Sequence, residues 1–184
     1  MILKIAIGAD HRGYELKKFI IANLVANLNT SSYTPENNEL VEISYSEKIT
    51  PENNGLVEIT DQKISPKISW LDQGCHNNLA CDYPEIANQV CQQILTSRAD
   101  LGILICGSGI GMSIAANRHP KIYAGLAWST ELAQQAKADN NCNILVLPAD
   151  FINPELAIKI IKTWLNTKFK AGKYQTRLNS LNLI

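Results

Sequence analysis

The chain has 184 residues, of which 46% are hydrophobic, and 17 basic and 17 acidic side chains give a formal charge of +0. That length suits one domain with a real core, and the charge balance gives no electrostatic reason to expect nucleic acid or an anionic membrane as a partner. Five cysteines without a Cys-x-x-Cys pair fit a reduced compartment better than a disulfide framework. Lys4, Asp10, His11 and Arg12 leave no signal-peptide core near the N-terminus, so a soluble, cytoplasmic chain is expected.

In chain order, Ile2 to Ile7 reads as a strand that runs into Gly8-Ala9-Asp10-His11. A helix follows, with Leu16, Phe19, Ile20, Leu24 and Leu28 at helical spacing on one face. Residues 30–66 break the rhythm: Thr34-Pro-Glu-Asn-Asn-Glu-Leu-Val-Glu-Ile43 recurs as Thr50-Pro-Glu-Asn-Asn-Gly-Leu-Val-Glu-Ile59. A tandem repeat of this kind reads as a tolerated surface insertion, since lengthening a loop costs little closure entropy; the alternative is a small hairpin that touches a partner subunit.

Ile68 to Leu71 is a weaker strand, and Asp82-Tyr83-Pro84-Glu85 predicts a helix start with Asp82 as N-cap and Glu85 closing a capping box. That helix is expected to bury Ile86, Val90 and Ile94. Leu101 to Cys106 is the clearest buried strand. The stretch Ala99 to Ala116 carries only Asp100 as a charge, but its Gly107-Ser108-Gly109 break favours strand, turn and helix over a membrane span. Ile122 to Ala127 is expected as strand four, Ser129 as the cap of a helix through about Ala138, and Ile144 to Leu147 as strand five. Asn153-Pro154-Glu155 opens a long helix carrying Ala157, Ile160, Ile161 and Trp164. Strict alternation of strand and helix predicts one Rossmann-like α/β domain, a five-stranded parallel sheet with helices on both faces.

In such a sheet, ligands bind beyond the carboxyl ends of the strands. Strand one delivers Asp10 and His11, and strand three delivers Cys106 and Gly107-Ser108-Gly109-Ile110-Gly111. The turn before strand five adds Asp139, Asn140, Asn141 and Asn143, and all are expected in one neighbourhood. The glycine loop can turn its amides toward a phosphate or an oxyanion, or it can be a tight structural turn. Cys106 reads either as a thiol brought toward neutrality by those donors, acting as base or nucleophile, or as an inert cysteine finishing an apolar strand. Cys75, His76 and Cys81 match no common metal-ligand spacing, so no metal is expected. His119 follows Arg118 at a helix end and most simply complements its dipole. Lys173 and Arg177 stand i, i+4 in the tail, a solvated face or a phosphate clamp.

Three segments then converge: Ile5-Ala-Ile-Gly-Ala-Asp10-His11-Arg-Gly-Tyr-Glu-Leu-Lys17, Asp82-Tyr-Pro84, and Gly102-Ile-Leu-Ile-Cys106-Gly-Ser-Gly-Ile-Gly-Met-Ser-Ile-Ala-Ala-Asn117. Together they resemble the ribose-5-phosphate isomerase B / galactose-6-phosphate isomerase family over roughly residues 2–29 and 68–181. The resemblance implies aldose–ketose isomerisation of a phosphorylated pentose or hexose through a cis-enediolate, without metal or organic cofactor. It implies Cys106 as the base, Gly107, Ser108, Gly109, Ile110 and Gly111 around the enediolate oxygens, and Ser108 as a supporting hydroxyl. Asp10, His11 and Asn140 match sugar-contacting positions and Arg177 a phosphate-binding one. A homodimer or tetramer with sites at the subunit interface is expected on the same ground. Three positions depart from the family pattern: Asp139 stands where a ring-opening histidine is usual, Asp150 where an arginine is usual, and Lys173 where the tail has another arginine. The first two put anions where the pattern offers neutral or cationic donors. Asp139 would act as the acid only with a raised pKa, and an impaired sugar-phosphate binding protein is the competing reading.

Overall fold

The computed structural model of the chain describes residues 2–26, 67–77 and 79–181, so the 34–59 repeat and Leu28 lie outside the described residues. Its elements run β1 (Ile2–Ala9), α1 (Tyr14–Ala26), β2 (Lys67–Asp72), α2 (Tyr83–Leu95), β3 (Leu101–Cys106) and α3 (Ile110–Ala116). They continue with β4 (Ala124–Leu126), α4 (Thr130–Asn140), β5 (Ile144–Pro148), α5 (Pro154–Asn166) and α6 (Lys173–Leu181). Every strand pairing is parallel, and the sheet order is β2-β1-β3-β5-β4.

Side-chain alternation along the strands splits the interior into two cores. Ile5, Ile7, Ile103, Ile105, Leu145 and Leu147 point to one face, where α1 and α5 cover them around Ile20, Ile160 and the fully buried Trp164. Ala6, Leu104, Cys106, Ile144 and Val146 point to the other face, packed by Ile86 and Val90 of α2 and Met112 of α3. The parity of β3 therefore aims Cys106 toward α2 and α3. Leaving β1 the chain turns to one face, and leaving β3 it turns to the other; the crevice opens where these neighbours part.

Several expectations change in detail. Asp82 does occupy the N-cap of α2, but no side-chain hydrogen bond caps that helix, so the capping box does not form. Ser129 and Asn153 do cap, accepting from the Leu132 and Leu156 amides. Strand four spans only Ala124–Leu126, shorter than the expected 122–127, and side-chain amides clasp the backbone at its start. Asn117 pairs with both the amide and the carbonyl of Ala124 (2.9 Å each), while Asn143 accepts from the Tyr123 amide (2.8 Å). The tail that carries Lys173 and Arg177 is a helix in its own right. Cys75 and Cys81 form a disulfide, contrary to the all-thiol reading: Gly74 turns with φ 146° and brings the two ends of the short loop together.

Lys17 anchors that corner. It is 1% exposed, and its ammonium donates to Asp72 Oδ1 (2.6 Å), to the Cys75 carbonyl (3.0 Å) and to the Gly74 carbonyl. A buried ammonium is tolerated only with such compensation.

Candidate active site

At the carboxyl end of β1, Asp10 is 7% exposed and its Oδ1 accepts from the amides of Arg12 and Gly13 at 3.0 Å each. Its own amide donates to the Ile105 carbonyl (3.1 Å), which ties the β1 turn to β3. His11 and Arg12 are exposed on that turn.

Cys106 ends β3 and is 5% exposed. Gly109, in the left-handed region at φ 76°, reverses the loop so that its amide donates to the Cys106 sulfur at 3.2 Å. A residue with a Cβ would be strained in that conformation. Burial pushes the Cys106 thiol above its ordinary value, with a smaller push from the Asp10 carboxylate; the amides of Met112, Gly109 and Ser108 pull the other way and lose. Of the two readings of Cys106, this direction speaks against a thiol brought toward neutrality, since loss of hydration outweighs the donors. The donors themselves converge on the sulfur, and Ser108 Oγ accepts from the Ile110 amide at 3.3 Å.

The Ala149 and Asp150 amides donate to the Cys106 and Gly107 carbonyls (2.9 and 3.0 Å), so the loop after β5 is stitched to the glycine loop. Asp150 forms an ion pair with Arg12, and the Arg12 guanidinium lies against the Cα of Gly107, where any side chain would collide with it.

Asp139 and Asn140 are elsewhere. They close α4, which precedes β5, whereas Cys106 is paired with Pro148 at the far end of β5. Four residue steps along the five-residue strand, at roughly 3.3 Å each, separate the two ends. The single neighbourhood expected from the sequence is therefore two neighbourhoods within one chain: a residue entering a parallel strand lies at the end opposite one leaving it. Asn141 and Asn143 are structural, Asn141 as the left-handed C-cap of α4 at φ 46° and Asn143 as the clasp on β4. Asp139 accepts from Lys170 Nζ at 2.8 Å, and this hydrogen bond holds the Lys170 ammonium above its ordinary pKa. Lys170, Lys173 and Arg177 all stand over the Tyr174 ring, at 5.4, 5.3 and 5.6 Å from its centroid. The structure thus gathers three cations around one aromatic ring beside Asp139. Lys170 and Tyr174 had not been singled out, although Tyr174 neighbours Lys173 and Arg177 in sequence.

A cleft of about 370 Å³ at the β4 edge is lined by Asn117, Tyr123, Leu132, Asn140, Leu178 and Leu181; Cys106 is not part of it. Among the described residues no group of three His, Cys, Asp or Glu side chains is placed to hold a metal. Cys75 and Cys81 are spent on each other. Among the same residues no helix is long and apolar enough to cross a membrane.

The Ribose/Galactose Isomerase family model matches residues 53–181. Ribose-5-P isomerase B of Listeria innocua is 31% identical over 182 residues, covering 99% of this chain and 97% of that protein. Ribose-5-phosphate isomerase B of Escherichia coli is 30% identical over 181 residues, covering 98% and 95%. The crystal structure of a ribose 5-phosphate isomerase RpiB from Thermotoga maritima superposes with a TM-score of 0.75 at 33% identity, covering 99% of each chain. A parallel sheet of this order, a cysteine ending its central strand and relatives matched over nearly their whole length lead to one assignment: the chain belongs to the ribose/galactose isomerase family of sugar phosphate isomerases.

Proposed function

We propose that the chain is an aldose–ketose isomerase for a phosphorylated pentose or hexose, with Cys106 as the base. The observation that carries this is the Cys106 sulfur at the switch point of the sheet, with the amides of Ser108, Gly109 and Met112 favouring its thiolate form. In the open-chain aldose, the thiolate takes the C2 proton. The C–H electron pair becomes the C1–C2 double bond, and the C1 carbonyl oxygen takes up negative charge as the enediolate. Returning the proton to C1 while the O2 proton passes to O1 yields the ketose. Ser108 and the remaining loop amides are suited to the developing oxyanion.

We assign substrate contacts to Asp10, His11 and Asn140, and the phosphate to Lys173 and Arg177, whose cluster includes Lys170. Since the two groups of residues occupy opposite ends of one chain, the complete site belongs to a homodimer, or a tetramer of such dimers, in which one copy supplies the thiol end and the other the cationic end. Ile110 and Ile114, exposed one turn apart on α3, support an apolar contact beside the thiol end. A cytoplasmic location goes with this reading.

The test is incubation of the purified protein with ribose 5-phosphate and related aldose phosphates, following ketose formation and solvent deuterium at C2. Cys106→Ala is expected to lower turnover by roughly 10²-fold or more, the range for loss of a general base. Unchanged turnover in that variant rejects Cys106 as the base. A second reading, a sugar-phosphate binding protein with little turnover, is favoured by the raised Cys106 pKa and by the engagement of Asp139 with Lys170. It predicts thermal stabilisation by sugar phosphates without ketose formation.

A further inference from the structure

Where β2 ends, the backbone is pinned to the sheet: the Gln73 amide donates to the Ile7 carbonyl (2.8 Å) and the Gly74 amide to Asp72 Oδ1 (3.1 Å). Cys75 follows at 7% exposure, its carbonyl held by the Lys17 ammonium at 3.0 Å. Cys81 is half-buried and directly precedes Asp82, the N-cap of α2 that makes no side-chain cap bond. In place of a cap, the Cys75–Cys81 disulfide ties this helix start to the sheet. Next comes Tyr83, whose ring lies so close over Gly111 that a Cβ there would stand 2.9 Å from it. Gly111 is followed by Met112, one of the amides turned on the Cys106 sulfur.

We propose that Cys75 and Cys81 form a reversible thiol–disulfide exchange site for a low-molecular-weight thiol and its disulfide, and that its state sets how firmly Tyr83 braces the glycine loop at Gly111. The placement of the pair argues against a permanent staple. Its cysteines are only six positions apart, and a bond closing so short a loop constrains the unfolded chain far less than one joining distant elements. His76, Asn77, Leu79 and Ala80 between them are exposed, so the bond lies at the surface rather than in either core. In the cytoplasmic setting proposed above, disulfides are as a rule transient and serve catalysis or redox sensing. Cys81, the more open of the two, is the sulfur that an incoming thiolate attacks. The S–S bond breaks, Cys75 leaves as thiolate and takes a proton, and Cys81 carries a mixed disulfide. A second small thiolate attacks the small molecule's own sulfur there, releasing Cys81 as thiolate, so one protein disulfide and two thiols become a protein dithiol and one small disulfide. Formation of the pair is the reverse. After reduction Cys75 stays anchored through Lys17, and α2 keeps its buried Ile86, Ala87 and Val90, so only the uncapped first turn with Tyr83 is released.

The test is equilibration of the full chain with reduced and oxidised glutathione in varied ratio, followed by alkylation and peptide mapping. The protein is expected to pass reversibly between three free thiols and five, with Cys75 and Cys81 the two that change. A pair that stays bonded in excess reduced glutathione, or stays as thiols in excess oxidised glutathione, overturns the exchange site. Amide hydrogen exchange in the reduced state is expected to be roughly tenfold faster at residues 82–85 and 107–111, with β3 and β5 unchanged. Equal protection of 107–111 in both states overturns the link to the glycine loop. Tyr83→Ala should abolish the redox difference at 107–111 while keeping it at 82–85, and a difference that persists at 107–111 overturns Tyr83 as the brace. The double variant Cys75→Ser/Cys81→Ser should match the reduced protein at every glutathione ratio; a redox response that survives in it overturns the assignment to this pair. The wild-type measurements decide the exchange site without any variant, and none of the readouts needs turnover, so their failure and that of the isomerase reading are told apart.

Discussion

At Cys106 two opposed influences act on one sulfur. Burial against α2 and α3 favours the neutral thiol, three loop amides favour the thiolate, and burial prevails. A thiol held above its ordinary value is protonated at neutral pH, and its thiolate fraction grows as pH rises toward that raised value. Isomerase turnover by Cys106 is therefore expected to climb from neutral into alkaline solution, measured as kcat against pH; a plateau already reached below neutrality contradicts the order of these influences. The sequence made the position of Cys106 at a strand end and of the glycine loop at the start of α3 legible, because the apolar run breaks at Gly107-Ser108-Gly109. It did not reveal the sign of the pKa shift, which depends on how far the fold buries the sulfur on the α2 and α3 side of the sheet. Lys170 escaped notice because its partner Asp139 is 31 positions away, beyond any local pattern.

Among the elements, β2 and α1 are joined by the Lys17 ammonium more firmly than by apolar contact alone. Lys17→Met leaves Asp72 and two carbonyls without their cation, and breaking a buried pair in this one-sided way costs about 3 to 5 kcal/mol. Urea unfolding should report that loss; a change under 1 kcal/mol would mean that the carboxylate and carbonyls rehydrate freely. Strand and helix order was readable from hydrophobic periodicity, since β1, β3 and β5 are buried on both faces and α5 keeps a clear apolar stripe around Trp164. Termini were less so. The start of β4 is clasped by the side-chain amides of Asn117 and Asn143, and the α2 N-cap Asp82 makes no side-chain cap bond, neither of which is set by local composition.

For the whole molecule, the distance between the two half-sites makes a strong demand on assembly. Cys106→Ala and Arg177→Ala chains should each be nearly inactive alone. Mixed and refolded together in equal amounts, they should recover roughly a quarter of wild-type activity, because half the dimers are mixed and each of those holds one intact site of two. No recovery would place the entire reaction within a single chain. The opposite ends of α4 and β3 were misjudged as neighbours from sequence because strand ends were assigned without regard to which end of β5 its preceding turn enters. Chain direction settles that, and composition does not.

Asn117 carries a further implication for how copies meet. By spending its amide on the Ala124 amide and carbonyl, it occupies part of the border of β4, and that border is only three residues long. An unblunted border invites another chain to continue the ladder, as in fibrils. At this border of the sheet, growth by ladder extension is discouraged.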